Sequence, residues 1–296
     1  MALGWEHAVT VVGAFVSAGT AQYLSHRWTL NREDEKYQKE RYRKFYAPLV
    51  YKIQNYVMAE AEEFEKTFFD EVVITQHQRG VIASGSISFF PLPNSDTIFN
   101  TIITIIEDNL EYADLQFIEM YERHKMQEFQ NNAGDGLELI RHHVKLTENL
   151  LVCEKFLMEY LNFSKKISVL SIETEIEINR ILISIKLYNL MKKYKLHQTA
   201  FILFSCTSKY RSVFARFPNI SQEIDRVRAD VSSKITFMKK NTGKDDLYCY
   251  QELLNFARAI KTHLETFESD TYIFKYSHML EIAINQDELV KSFSNK

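Results

Sequence analysis

The chain alternates between long segments in which apolar residues recur with a helical period and short segments rich in glycine, proline, asparagine and serine. The clearest repeat covers residues 139–160, and similar repeats cover 172–194, 224–238 and 253–267. Spacings of four and three place the repeating residues on one face of a helix. In the clearest repeat these are Leu139, His143, Leu146, Leu150, Cys153, Leu157 and Tyr160. Strand-like alternation is confined to very short runs, so the sequence predicts an all-α fold, a multi-helix bundle of about eight helices.

The first part of the chain differs from the rest, because residues 8–24 contain no charge and have Trp5 and Trp28 on their flanks. A helix over these residues is about 25 Å long, at the short end of what a bilayer requires. Tryptophan at both ends is typical of the membrane–water interfaces. The sequence therefore predicts a transmembrane helix that binds the membrane through residues 8–24. A cleaved signal peptide, a buried helix of a soluble domain and a helix in the membrane plane are the alternatives. Small residues that allow close helix approach recur along it: Gly13, Ser17 and Ala21.

The charges beside this segment are asymmetric, because no lysine or arginine precedes it and many follow it. The positive-inside rule then predicts a single-pass protein of the cell membrane, with its N-terminus outside and its C-terminal domain in the cytoplasm. Cys153, Cys206 and Cys249 are widely spaced and show no disulfide framework, which agrees with a reducing compartment. Their apolar neighbours favour buried, unreactive cysteines.

These patterns divide the chain into a membrane anchor at residues 1–28, a charged juxtamembrane helix at 29–47 and a cytosolic helical domain at 48–296. Pairs of glutamate and lysine four residues apart favour an exposed helix in the second part. Pro48 is predicted to end or kink that helix, because it has no N–H and crowds the preceding turn. A sub-boundary within the third part is predicted at the loop of residues 78–95.

Aromatic residues beside Pro48 form the step Phe45-Tyr46-Ala47-Pro48-Leu49. This step resembles one in uncharacterised bacterial and phage proteins, which have an N-terminal membrane helix, a charged helix and then Phe-Tyr-x-Pro-Leu. The resemblance covers roughly the first 55 residues and implies an architecture without an activity. The alternative interpretation is that the aromatic residues staple a helix junction.

Composition and motifs exclude several classes of function. The net charge of −3 argues against general nucleic-acid binding. Zinc-ligand pairs, phosphate-binding loops, dinucleotide fingerprints and nucleophile elbows are absent from the sequence, so no cofactor is expected. The longest irregular stretch, residues 79–95, is both apolar and rich in turn residues, which suggests a binding loop; a small hairpin is the alternative. Its candidate binding residues are Phe89, Phe90, Pro91 and Pro93.

Three histidines form the only candidate metal or phosphate site in the sequence. His142 and His143 follow Arg141, and His124 lies in the preceding predicted helix. Imidazole side chains from two neighbouring helices can share a ligand. However, His143 also falls on the apolar face of its helix, where a hydrogen-bonded core histidine is the commoner outcome, and no metal is assigned.

Arg258 and His263 form the only catalytic motif candidate. An Arg-x4-His spacing near the C-terminus of an all-α domain resembles the motif of HEPN ribonucleases. That resemblance implies a dimer that cleaves RNA, with Arg258 stabilising phosphate charge and His263 moving a proton. The family usually has a polar residue after the arginine, and here the residue is Ala259.

A binding role is the function that the sequence favours. The expected protein is a membrane-anchored helical bundle that binds an unknown partner protein or forms a homo-oligomer, in the character of bacterial or phage signalling, exclusion or defence systems. An enzyme is the less favoured class. The alternatives are a HEPN-like ribonuclease using Arg258 and His263, and a ligand-sensing bundle with a deep pocket beside the 79–95 loop.

Overall fold

The computed structural model describes residues 26–77, 94–132, 138–209, 219–241, 246–267 and 271–294. All regular structure within these ranges is helical, which confirms the prediction of an all-α bundle. Helix α1 (residues 26–41) continues through a π-helical turn (Tyr42–Tyr46) into α2. With this continuous segment counted once, the described ranges hold nine separate α-helical segments. The other helices are α2 (Ala47–His77), α3 (Ser95–Asp108), α4 (Leu115–Asn132), α5 (Glu138–Lys166), α6 (Ile172–Lys193), α7 (His197–Lys209), α8 (Ile220–Asn241), α9 (Asp246–Glu265) and α10 (Thr271–Ser294).

Membrane insertion is the point on which the sequence-based interpretation requires correction. Within the described ranges, no helix combines the length and the apolar character needed to cross a bilayer. The most apolar helices, α3 and α7, have only 14 and 13 residues, and a spanning helix needs about 20 mostly apolar residues. The predicted N-terminal transmembrane helix and the predicted single-pass location in the cell membrane are corrected on this finding. Trp28 lies in α1 and is exposed. The remaining anchor residues lie outside the described residues: Trp5, Gly13, Ser17 and Ala21.

Pro48 neither ends nor interrupts the helix that contains it. The backbone N–H of Ala47 donates to the carbonyl of Tyr42, five residues back, so the helix widens into the π turn just before the proline. A proline ring crowds the carbonyl four residues before it. For Pro48 that residue is Lys44, which lies within the widened turn. The same turn directs Phe45 and Tyr46 into the core, where both rings pack against Phe156 at centroid distances of 5.7 and 5.5 Å.

Arg41 fastens the end of α1 to the body of the protein. Its guanidinium lies 4.8 Å from the ring centre of Phe163 and 5.2 Å from that of Tyr46. It also donates hydrogen bonds to the carbonyl of Tyr112 and, at 3.0 Å, to the hydroxyl of Tyr46. Stacking on two aromatic faces and directional hydrogen bonds together favour arginine over lysine at this position.

Helix α7 is the centre of the fold. Every residue from Thr199 to Ser208 is buried, and α2, α6 and α10 pack around the helix. Most buried polar side chains find a hydrogen-bond partner inside the protein. Accordingly, the hydroxyl of Ser205 donates to the carbonyl of Ala61 at 3.0 Å, and the hydroxyl of Thr207 donates to the carbonyl of Leu203 at 2.6 Å.

The structure divides the stretch between Asn94 and Asn132 into two helices, α3 and α4. A 3₁₀ turn over Leu110–Tyr112 separates the two helices. The side chain of Asp114 accepts a hydrogen bond from the backbone N–H of Phe117 at 2.8 Å and so begins α4. The N-cap of α3 is Asn94, since its side chain accepts a hydrogen bond from the backbone N–H of Asp96 at 2.9 Å.

Candidate protein-interaction surface

Helix α5 carries a row of exposed apolar side chains on the face that points away from the core. Val144, Leu151 and Met158 are 37%, 41% and 47% exposed. Their spacing of seven residues, close to two helical turns, keeps all three on one line along the helix. We call these three residues the α5 stripe.

The position of this stripe follows from the buried side of the same helix. Leu146, Leu150, Cys153, Leu157 and Tyr160 are all buried, as their periodicity predicted. Helices α2, α4 and α6 pack against α5, and the side-chain amide of Asn149 donates to the hydroxyl of Tyr56 at 3.1 Å. These contacts hold α5 in a single rotational setting, so the α5 stripe faces outward.

A groove runs between α4 and α5 directly beside the stripe. It holds a cavity of about 300 Å³, at the lower end of the volumes of ligand pockets. Methionine side chains are flexible and polarisable, and they are common on surfaces that adapt to a bound partner. We call this cavity the α4–α5 groove; its lining residues are Met120, Arg123, His124, Gln127, Glu148, Leu151, Glu154, Lys155 and Met158.

Charged side chains of both signs flank the α5 stripe. On the α4 side, Lys155 donates to the side-chain oxygen of Gln116 at 3.0 Å and lies 3.7 Å from the carboxylate of Glu159. On the α6 side, Glu154 accepts a hydrogen bond from the side chain of Asn189 at 2.9 Å. The rim of the groove is therefore polar and balanced in charge, as the rims of protein interfaces are.

Partial burial alters the electrostatics of the groove at Glu148. Burial raises the pKa of its carboxyl, while the nearby positive charges of Lys192 and Arg123 lower it. A further positive charge beside this partly desolvated carboxyl would stabilise its charged form.

The histidine cluster predicted from the sequence is only partly described. His124 is buried and lines the α4–α5 groove, where its ring meets Phe99 edge-on at 5.6 Å. His142 and His143 lie in the first turns of α5, with side chains outside the described ones. Among the residues that the structure describes, no group of three histidine, cysteine or acidic side chains is arranged to hold a metal ion.

The candidate ribonuclease residues both lie in α9. Arg258 forms an ion pair with Glu288 of α10 and hydrogen-bonds to the side chain of Asn255 at 3.2 Å. The ring of His263 meets Phe267 edge-on at 5.4 Å. A separation of five positions on a regular helix turns the two side chains roughly 140° apart. Each is thus engaged with different neighbours.

The two remaining groups of sequence candidates differ in their outcome. Phe89, Phe90, Pro91 and Pro93 of the predicted binding loop lie outside the described residues. Cys153 and Cys206 are free thiols in the core, and burial raises the pKa of the Cys153 thiol, which makes it a poor nucleophile.

No protein-family model matches this chain, and comparisons with curated proteins and with solved structures also found no match. The resemblances to bacterial and phage membrane-anchored proteins and to HEPN ribonucleases therefore stay predictions. The structure defines this protein as an all-helical bundle with an exposed apolar stripe beside an open groove.

The sequence-based reasoning followed the buried face of α5 and did not identify the α5 stripe. The signal was present, because Val144, Leu151 and Met158 recur every seven residues with Glu148 and Lys155 beside them. An apolar heptad on a helix that already has a buried face indicates a second contact surface.

Proposed function

We propose that this protein acts by binding other protein chains through the α5 stripe and the α4–α5 groove. The observation that carries this proposal is the apolar stripe of Val144, Leu151 and Met158, exposed on a helix whose opposite face is anchored in the core. Burying such a row against a second helix removes apolar surface from water without any rearrangement of the bundle.

The chemistry of the surface fits recognition of an amphipathic helix. Such a helix presents apolar residues every three to four positions, and they would lie along the stripe and into the groove. Met120 and Met158 supply adaptable contacts, while Arg123, Glu148 and Lys155 supply a polar rim.

The engagement of Arg258 favours this function over the ribonuclease. An arginine that stabilises a developing phosphate charge must be able to reach the phosphate. Here Arg258 is paired with Glu288, whose carboxylate would have to be displaced before RNA could bind.

Site-specific photo-cross-linking in the cell of origin tests the proposed function. A photoreactive amino acid in place of Leu151 is expected to give a cross-linked protein adduct, and Met158→Asp in the same chain is expected to reduce it. The matched control carries the photoreactive residue at the exposed Gln251 of α9. Equal adducts from both positions, or none from position 151, would refute the proposal.

A further inference from the structure

Two residues of opposite charge flank the α5 stripe at nearly equal distances from its centre. Glu148 and Lys155 lie seven residues apart on the same side of the stripe, one near each end. Both residues line the α4–α5 groove, and the side chain of Lys155 is 32% exposed. The midpoint of this pair coincides, to within one residue, with Leu151 at the midpoint of the stripe.

We propose that the chain that binds the α5 stripe is a second copy of this protein, with its α5 antiparallel to the first. This inference rests on the proposed function and adds the identity of the partner. A two-fold axis at Leu151 places Val144 of each copy beside Met158 of the other and brings the two Leu151 side chains together. An interface of this kind is self-complementary, so it closes as a dimer.

The charges select the antiparallel direction. In the antiparallel pairing, Glu148 of each copy faces Lys155 of the other, which forms two attractive pairs. In a parallel two-fold pairing, Glu148 and Lys155 of one copy lie on the opposite side of the seam from those of the other, so neither attractive pair forms. Flanking charges that can pair in only one direction set the orientation of paired helices.

The intramolecular contacts of these two residues are compatible with this pairing. Lys155 is bound to an uncharged acceptor, Gln116, and lies 3.7 Å from the buried Glu159. Burial raises the pKa of the Glu148 carboxyl, and the nearby charges of Lys192 and Arg123 offset part of this rise. The intermolecular pairs at the rim therefore contribute mainly orientation, and burial of the stripe contributes most of the affinity.

Sedimentation equilibrium of the purified full chain tests this inference. The wild type is expected to be a dimer, and Leu151→Asp is expected to raise the dissociation constant about a hundredfold, because two carboxylates would be buried at the axis. Ile172→Asp is the matched control, since Ile172 is an exposed isoleucine on α6 that does not belong to the stripe. Circular dichroism of each variant checks that its helix content is unchanged.

A charge-exchange cycle tests the orientation. Glu148→Lys and Lys155→Glu are each expected to weaken the dimer about tenfold, because each replaces two attractive pairs by two repulsive ones. The double variant restores both pairs and is expected to return close to the wild-type dissociation constant. Additive weakening in the double variant would overturn the antiparallel pairing.

Disulfide trapping gives an independent readout of direction. Copies with Val144→Cys, mixed with copies with Met158→Cys, are expected to form a cross-linked dimer under mild oxidation. Self-cross-linking of each variant without a mixed product would overturn the inference. A monomeric wild type that still gives adducts from position 151 to another protein would rule out self-association and leave the proposed function intact. If the protein forms neither a dimer nor an adduct, both the inference and the proposed function are refuted.

Discussion

Two buried glutamates show how far a residue's surroundings can change its chemistry. Glu60 in α2 is 3% exposed, and burial raises the pKa of its carboxyl to about 7, although hydrogen bonds from Tyr56 and Ser95 lower it. Burial likewise raises the pKa of Glu159 to about 8, and the carboxyl of Asp114 adds to this rise. Both side chains therefore gain or lose a proton near neutral pH, unlike an exposed glutamate.

The stability of the protein is expected to fall as the pH rises through the pKa of Glu60. The folded state binds this proton up to about pH 7, while the unfolded state releases it near the ordinary carboxyl pKa of 4.5. The contribution of the neutral carboxyl is therefore complete below about pH 4.5 and is lost between there and pH 7, to a limit of about 3 kcal/mol.

Glu60→Gln is expected to remove this part of the pH dependence and to stabilise the protein at pH 8, since the amide is neutral and nearly the same shape. Urea denaturation at a series of pH values measures the effect. Glu119→Gln, at an exposed position on α4, is the control for loss of one negative charge. A wild-type free energy of unfolding that rises from pH 5 to 7, with the variant parallel to it, would contradict the assignment.

No local pattern identifies Glu60 as a buried residue. A glutamate in a helix is usually solvated, and Glu60 lies between the buried Ala59 and Ala61 in a run of acidic residues. Its burial results from the packing of α3 against α2. These two helices are joined by residues far apart in the chain, since the hydroxyl of Ser95 donates to the carboxylate of Glu63, 32 positions away. Cys153 contrasts with it, because helical periodicity correctly predicted its burial.

At the scale of the element, the N-terminus of α7 shows a helix completed by a distant residue. Asp287 of α10 is 6% exposed, and its carboxylate accepts from the backbone N–H groups of Thr199 at 2.9 Å and Gln198 at 3.4 Å. The first N–H groups of a helix have no partners within the helix. A negative charge beside them is also stabilised by the positive end of the helix dipole. Asp287 thus acts as a capping residue supplied by another helix.

Asp287→Ala is expected to lower the free energy of unfolding by about 2 kcal/mol, because it leaves buried N–H groups without an acceptor. Asp287→Asn is expected to lose less, since the amide oxygen can still accept one hydrogen bond. Chemical denaturation at pH 7 compares both with Gln286→Ala, the exposed neighbour on α10. An effect of Asp287→Ala no larger than that of Gln286→Ala would show that the cap contributes nothing.

In helix α6, the periodicity of the apolar residues predicted the wrong buried face. The repeat predicted a buried row that begins at Ile172 and Ile176, yet these residues are 74% and 44% exposed. The buried side chains in the first half of α6 are Ile178, Ile181 and Leu182 instead. Isoleucines occur on several sides of this helix, so the sequence allows two faces, and contact with α7 and α8 selects one.

At the scale of the whole molecule, one cluster of buried side chains joins the π turn to α10. It includes residues from every described helix except α1, and α7 lies at its centre. A single shared core makes the stability of one helix depend on the others, so the protein is expected to unfold as one cooperative unit.

Hydrogen exchange is expected to be slowest in α7. All residues from Thr199 to Ser208 are buried, so their amides exchange only when the whole core opens. Helix α8, which alternates buried and exposed residues, is the internal comparison. Mass spectrometry of exchanged peptides measures the difference, and peptides from α8 that outlast those from α7 would contradict this account.

The sequence by itself determined the all-helical class, the buried face of α5 and the breaks between most helices. These depend on residues within a few turns of one another, which the periodicity of apolar positions reports directly. Only the tertiary structure decided that α7 is central, that Arg41 and Asp287 hold distant elements, and that the α5 stripe stays exposed. Each of these depends on which residues from far apart in the chain come together, and a local repeat of apolar positions does not report that pairing.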